Sequence, residues 1–336
     1  MTAVPTMDRV LVIKLGALGD FLLALGPMQA IRRRHPRARI TLLTRAAYGD
    51  LATRSGLFDE IWIDPAPRLN PLAWLALAAR LRGGRFQRVY DLQTSNRSAW
   101  YFRLMGGAAE WSGKVAGCSH RHVFPTPSPL HTVERQRAQL AIAGLDDVPL
   151  SDLAFLDGEL PDGLPARSFA LLIPGASANR PAKRWPAAGF ADLAARLSAR
   201  GVGCAVAGTA AERELAGIIQ DHAPNAADLT GRTNLAELAA VARAARLVIG
   251  NDTGPTHLAA LAGAPTLALF SADSDPARTG PRGPRTRVIQ RDRLDDLAPE
   301  AVLAEIADWI DSPIAGGPIA GGPIAGGPIA GDGPAR

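Results

Sequence analysis

Val248-Ile-Gly-Asn-Asp-Thr-Gly-Pro-Thr-His-Leu-Ala-Ala-Leu-Ala-Gly263 joins a strand-like apolar run to a helix through a turn crowded with anion-binding groups. Arg246 to Gly250 reads as a short buried strand and Asp252-Thr253-Gly254 as turn and helix cap; Pro255 stands where a first helical turn tolerates a missing N–H. A helix beginning here points free backbone N–H groups and the positive end of its dipole out of a sheet edge, an arrangement that suits a phosphate. His257 falls in the first turn, at the same mouth. Taken singly, Asp252 and Thr253 also suit plain capping, and His257 a plain helix-start histidine.

Strand, turn and helix alternate along the rest of the chain. Strands are expected at 9–15, 39–44, 60–64, 88–93 and 112–116, with helices at 20–34 (kinked or restarted at Pro27), 47–54, 71–81 and 96–104. The region 146–167, rich in Pro, Asp and Gly, reads as a boundary between domains. Alternation then restarts, with strands at 169–173, 204–207, 227–229, 247–250, 266–270 and 286–290. Helices fit at 186–200, 210–221, 235–245, 255–262 and 299–311. Such alternation predicts parallel sheets covered on both faces. From Pro313 the chain repeats Pro-Ile-Ala-Gly-Gly, a composition that suits neither helix nor strand and predicts a disordered tail over 313–336.

With 336 residues, 47% of them hydrophobic and 21% charged, the chain has the composition of a soluble globular protein of about two domains. A net charge of +5 suits an anionic partner but is too small to argue for nucleic acid. No signal peptide or membrane-length apolar stretch is evident, and two distant cysteines, Cys118 and Cys204, read as reduced thiols; both point to the cytoplasm. Arg32, Arg33, Arg34, Arg37 and Arg39 form a basic run that reads as a solvated helix end or, more sharply, as a membrane-surface contact.

Several local strings invite chemistry and are set aside. Gly16-Ala-Leu-Gly19 lacks the first glycine of a dinucleotide fingerprint and is followed by no ribose-binding acid. Gly175-Ala-Ser-Ala-Asn179 is one glycine short of a nucleophile elbow. Cys118, His120 and His122 lack a fourth metal ligand at convincing spacing.

Five ordered segments between Arg9 and about Asp311 carry a family resemblance. They are Lys14-Leu-Gly-Ala-Leu-Gly-Asp20, Asp91-Leu-Gln-Thr-Ser-Asn-Arg-Ser-Ala99, Ile173-Pro-Gly to Lys183-Arg-Trp-Pro186, Gly208-Thr-Ala-Ala-Glu-Arg-Glu214 and the opening stretch with its continuation to Gly283. Together they resemble family 9 glycosyltransferases, the heptosyltransferases of lipopolysaccharide core assembly. The resemblance implies an α/β fold of GT-B type, two Rossmann-like doubly wound parallel-sheet domains facing a cleft. An N-terminal acceptor-binding domain would cover 1–157 and a C-terminal nucleotide-sugar-binding domain 166–312, with the closing helix at 299–311 crossing back to the first.

By the same resemblance Asp20 is the catalytic base, although alone it reads equally as a charge on a helix start. Lys183, alone a surface lysine, would neutralise donor phosphate. Ser177, Lys183, Glu212, Asp252, Thr253, Gly254 and His257 would bind the donor, with Glu214 a rival to Glu212 for the ribose. Lys14, Gly19, Gln93, Arg97 and Ser98 would face the acceptor. No metal or other cofactor is implied. The implied reaction is inverting transfer of heptose from ADP-heptose to a hydroxyl of a lipid-linked lipopolysaccharide-core acceptor, with peripheral contact at the cytoplasmic face of the inner membrane. A family member using another nucleotide sugar, or a non-catalytic nucleotide-sugar or glycan-binding module, is the alternative. Ser271-Ala272 stands where relatives usually carry Gly-Pro, a departure that bears on base or sugar selectivity.

Overall fold

Runs such as Val10-Leu-Val-Ile13 and Phe169-Ala-Leu-Leu-Ile173 are buried along their whole length, as strands sandwiched between two helical layers must be. The computed structural model describes residues 7–65, 70–125, 128–177 and 179–311. Its first sheet holds β1 (Arg9–Ile13), β2 (Arg39–Thr44), β3 (Glu60–Ile63), β4 (Arg88–Asp91), β5 (Glu110–Gly113) and β6 (His120–Arg121) in the order β3-β2-β1-β4-β5-β6. The second holds β7 (Phe169–Ile173), β8 (Gly203–Val206), β9 (Ala227–Asp228), β10 (Leu247–Asn251), β11 (Thr266–Phe270) and β12 (Thr286–Gln290) in the order β12-β11-β10-β7-β8-β9. All pairings are parallel. Counted from its own first strand, each sheet has the doubly wound Rossmann succession, whose direction reverses between its first and fourth strands.

The helix expected over 20–34 is two helices, Leu18–Leu23 and Leu25–Arg34, meeting at Ala24. Pro27 lies in the first turn of the second. It has no N–H to donate, and its ring would strike the carbonyl of Leu23 four residues back, so the break falls between them. Gly26 is bare for a separate reason, since a Cβ there would come within 2.2 Å of the Pro149 carbonyl oxygen.

That carbonyl belongs to the segment read as an interdomain boundary. Leu145, Val148, Leu153 and Leu156 are buried in one hydrophobic cluster with Leu22 and Leu25 of the first half and Phe169, Leu171 and Leu258 of the second. The Arg243 guanidinium donates to the carbonyls of Leu153 and Leu156 at 2.7 Å each, fixing the segment's backbone against the second half.

The closing helix departs from expectation. It breaks at Ile306 into Pro299–Glu305 and Ala307–Asp311, and over the described residues it packs on the second sheet's layer instead of crossing to the first. Val302, Ile306 and Ile310 face Leu193, Leu197 and Leu247 in that cluster, and Arg246 donates to the Trp309 carbonyl at 2.8 Å. An apolar stripe that already finds its cover at home has no reason to leave it. The Pro-Ile-Ala-Gly-Gly tail lies outside the described residues. No helix among the described residues is long and apolar enough to cross a membrane.

The helix Thr132–Ile142 and the two-residue β6 are present although the sequence did not suggest them. The helix buries Val133, Gln136, Gln139 and Leu140, so glutamines stand where an apolar periodicity would have been read. Gln139 earns its place by donating from Nε2 to the carbonyls of Asp91 (3.0 Å) and Ser112 (3.3 Å).

Candidate active site

Most of the site is carried by turns leaving the C-terminal ends of β1, β4, β7 and β10, the strands flanking the reversal point in each sheet, where open α/β sheets bind ligands; the turns after β8 and β11 add Glu212 and Ser274. Within each sheet, strand order alone brings together turns that lie far apart in the chain.

After β10, Asn251 is fully buried and ties the turns together. Its Nδ2 donates to the carbonyls of Pro174 (2.8 Å) and Gly175 (3.3 Å), and its Oδ1 accepts from the Trp185 N–H (3.1 Å). The loop after β7 is thereby pinned to the loop after β10, which brings Lys183 to Asp252 at 2.5 Å. Ser274 donates to the same Asp252 oxygen at 2.6 Å, and the His257 ring lies 3.6 Å from the other oxygen. Burial would push the Asp252 carboxyl up; the His257, Lys183 and Ser274 donors outweigh it and hold it at about 2. Lys183 has three N–H bonds and Asp252 takes one, so the ammonium keeps donors for a ligand.

The helix Gly254–Leu261 starts here, and the Thr253 side chain does not cap it. Thr253 and Gly254 thus border backbone N–H groups that no side-chain cap occupies. Glu212 lies over the Gly175 turn. A Cβ on Gly175 would fall 1.7 Å from its Oε1, so only glycine admits the acid there, and Glu212 also accepts from the Thr209 N–H at 2.6 Å. Glu214 is exposed on the following helix, and Ser177 is exposed at the rim of the turn.

In the first half, Gln93 accepts from the Leu15 N–H at 2.7 Å, and the Gly16 turn sits against both Asp20 and Gln93. Lys14 is buried, donating from Nζ to the Leu92 carbonyl at 3.2 Å; burial lowers its pKa, while the Asp20 and Asp91 carboxylates pull it back up. Asp91 accepts from the N–H groups of Thr94 (2.9 Å) and Gln93 (3.1 Å), yet burial dominates and raises its carboxyl to about 6.

Two expected acceptor contacts are otherwise engaged. The Arg97 guanidinium pairs with Asp64 at 2.7 Å and donates to the Tyr101 hydroxyl. Ser98 is fully buried, its hydroxyl closing a reciprocal cap with Ser95 at the start of the helix Asn96–Met105.

The halves meet at the site. A Cβ on Gly19 would sit 2.9 Å from His257 Cδ2, and one on Gly254 2.6 Å from Leu18 Cβ, so the first-turn glycines of both helices are what let the two turns touch. His131, absent from the sequence reading, adds a bridge: its Nε2 lies 2.9 Å from the Gly280 carbonyl, while Nδ1 accepts from the Val133 N–H at 3.2 Å. With Nδ1 accepting, Nε2 carries the proton and donates across the interface. Burial, then the Arg282 charge, keeps this ring below the usual histidine range despite the carbonyl bond. One turn on, Arg135 donates to Thr132 at 2.8 Å, and its buried Nε lacks a partner. Burial and Arg278 lower its pKa, and Asp20 opposes them. Pro129 before this helix and Gly144 after it were the sequence signals for its ends.

Among the described residues no group of three or more His, Cys, Asp or Glu side chains is placed to hold a metal. His122 lies tilted against Phe124 with ring centroids 3.7 Å apart, and Cys118 contacts the Gly113 carbonyl. The arginine run lies at the opposite, N-terminal edge of the first sheet. Arg32, Arg33 and Arg39 pair with Asp59, Asp147 and Glu60, while Arg34 and Arg37 line a cavity of about 710 Å³ with His35 and Arg88.

Residues 74–300 match the model of glycosyltransferase family 9 (heptosyltransferase). The chain is 30% identical over 302 residues to lipopolysaccharide heptosyltransferase 1 of Pseudomonas aeruginosa, covering 82% of this chain and 81% of that one. It is 26% identical to lipopolysaccharide heptosyltransferase 2 of Escherichia coli, over 89% and 97% of the two chains. The solved structure of the E. coli ADP-heptose lps heptosyltransferase II superposes with a TM-score of 0.73 at 24% identity, over 90% of this chain and 98% of that one.

Proposed function

Because this chain belongs to glycosyltransferase family 9, the heptosyltransferases, we propose that it moves a heptose from ADP-heptose to a hydroxyl of a lipid-linked lipopolysaccharide-core acceptor, with inversion at the anomeric carbon. The N-terminal domain, 1–157, takes the acceptor and the C-terminal domain, 166–312, the donor. The observation that carries this reading is the contact between Gly19 and His257, which sets the Asp20 helix start of one half against the phosphate-suited helix start of the other.

Across that contact Asp20 removes the acceptor proton as the oxygen attacks the anomeric carbon from one face. The nucleoside diphosphate leaves from the opposite face, its growing charge met by Lys183, the amides at Thr253 and Gly254 and the His257 ring. Glu212, over the Gly175 turn, receives the ribose hydroxyls, and Ser177 borders the same pocket. Lys14, Gly19 and Gln93 shape the acceptor side. Arg97 and Ser98 act there by holding the helix Asn96–Met105. No metal is invoked, because lysine and backbone amides supply the positive charge.

Turnover of ADP-heptose with a core acceptor tests the proposal, the expected outcome being product formation that Asp20→Asn abolishes. ADP binding without turnover would mark a binding module. Ser271-Ala272 favours one further reading, a different nucleotide sugar. A thermal-shift panel of nucleoside diphosphates separates the two, since the tighter ligand raises Tm more.

A further inference from the structure

The helix Pro71–Gly83 is apolar on both faces. Its inner face buries Leu77, Ala78 and Leu81, while its outer face leaves Leu72 and Leu75 exposed to 74% and 66%. Ala76 and Ala79 extend the same outward stripe, because these four positions recur at three- and four-residue spacing. A helix apolar all round is ordinarily covered on both sides, and nothing among the described residues covers this outer face. The neighbouring helix Asn96–Met105 packs against it through Trp74 and Tyr101 and exposes Trp100 to 54%, with the Arg103 guanidinium 4.8 Å from the indole.

Charge narrows what the cover is. The two helices carry four arginines, Arg80, Arg82, Arg97 and Arg103, of which Arg97 is paired with the buried Asp64, and no carboxylate of their own. A second copy of this face would set arginines against arginines across a two-fold axis. Leucine, an exposed tryptophan and arginine without exposed acid instead match a bilayer surface. There, leucines enter the acyl boundary, indoles sit at headgroup level, and arginines meet lipid phosphate. The placement agrees. The helix Asn96–Met105 begins at the C-terminal edge of the first sheet, the edge that also carries Lys14 to Asp20, and the helix Pro71–Gly83 follows the C-terminal end of β3. The arginine run at 32–39 lies at the far edge, with three of its five side chains already paired.

We propose that the outer face of the helix Pro71–Gly83, together with Trp100, is the surface by which this protein rests on an anionic lipid bilayer. The docking stands on these residues alone; that it presents a lipid-linked acceptor to the cleft rests on the function proposed above. Flotation with acceptor-free vesicles of phosphatidylcholine, with and without phosphatidylglycerol, tests it. The full chain floats with the anionic vesicles, and Leu72→Glu/Leu75→Glu lowers the bound fraction by about tenfold or more. Trp100→Ser lowers it by roughly threefold, and Arg33→Glu/Arg37→Glu, at the far edge, by less than about twofold. Tm of each variant stays at the wild-type value, because every substituted side chain is exposed or half-exposed.

Undiminished flotation of the Leu72→Glu/Leu75→Glu protein, or no flotation of the wild type, overturns the proposal. So does a wild-type dimer in sedimentation that the same substitutions dissociate, since a second copy would then be the cover. Absence of heptose transfer by a wild type that floats would sink the catalytic reading and leave the docking surface standing.

Discussion

Asp91 and Asp252 stand at the ends of corresponding strands in two copies of one topology. Asp91 closes β4, the fourth strand of the first sheet's succession, and Asp252 follows the last residue of β10, its counterpart. Asp91 is buried and the Asp252 side chain is only 7% exposed, yet their carboxyls are driven in opposite directions, to about 6 and to about 2. The difference lies in the partners. Asp252 has an ammonium at 2.5 Å and a hydroxyl at 2.6 Å, whereas Asp91 leans on two backbone N–H groups and the Ser98 hydroxyl, with the Lys14 charge more distant and shared with Asp20. One half thus carries a fixed, neutralised ion pair, suited to holding a charged ligand in one pose. The other carries Asp91 and Lys14 under desolvation, beside the Asp20 carboxylate to which the proposed reaction assigns the proton transfer.

The sharpest way to break this division of labour is at Asp20. Asn keeps the size and the helix start but cannot take a proton, so Asp20→Asn lowers turnover by at least about 100-fold with ADP affinity unchanged. A parallel fall in ADP affinity, read by calorimetry, would move Asp20 to the ligand-holding half. Lys183→Ala tests the other side. It weakens ADP binding by roughly tenfold to 100-fold through loss of a charge-assisted contact, and lowers Tm because Asp252 is left buried without its cation.

The pH dependence of stability separates the two aspartates directly. With its folded pKa raised, Asp91 holds its proton while the unfolded chain releases one, so its contribution is full below about pH 4 and is lost as pH rises through about 6. Asp91→Asn therefore gains up to about 3 kcal/mol relative to wild type between those limits. Asp252, with its folded pKa depressed, contributes stability that is full above about pH 4 and is lost as pH falls toward 2. Asp252→Asn flattens that acid limb by about 2 kcal/mol. Urea unfolding of each variant against wild type across this range checks both signs; equal slopes would erase the contrast. The smallest effect concerns the ribose. Glu212→Gln weakens ADP binding by about threefold to tenfold, and Glu214→Gln leaves it unchanged.

The α/β alternation was legible because its strands are continuous apolar runs, and the phosphate-suited turn because Asn251 to His257 is a contiguous string. The Lys183–Asp252 pair was not, since 69 residues separate its members and their loops meet only through the pairing of β7 with β10 and the Asn251 side chain that locks it. His131 and Arg135 were hidden with their helix, whose inward positions are glutamines serving backbone carbonyls. Ser98 illustrates the opposite case. A motif position announces that a residue matters, but a buried hydroxyl in a helix cap matters by holding the scaffold.

The leucines and valine between the two sheets give the linking segment a role its composition hides. Leu145, Val148, Leu153 and Leu156 place side chains from one short stretch into a core that both halves share. Neither half can then lose its packing without exposing apolar surface on the other. The expected outcome in calorimetry is one transition for the two Rossmann units together, and two resolved transitions would show that the shared core does not couple them. Proteolytic nicking between the sheets releases no stable fragment, and any opening of the cleft must bend the molecule around this seam.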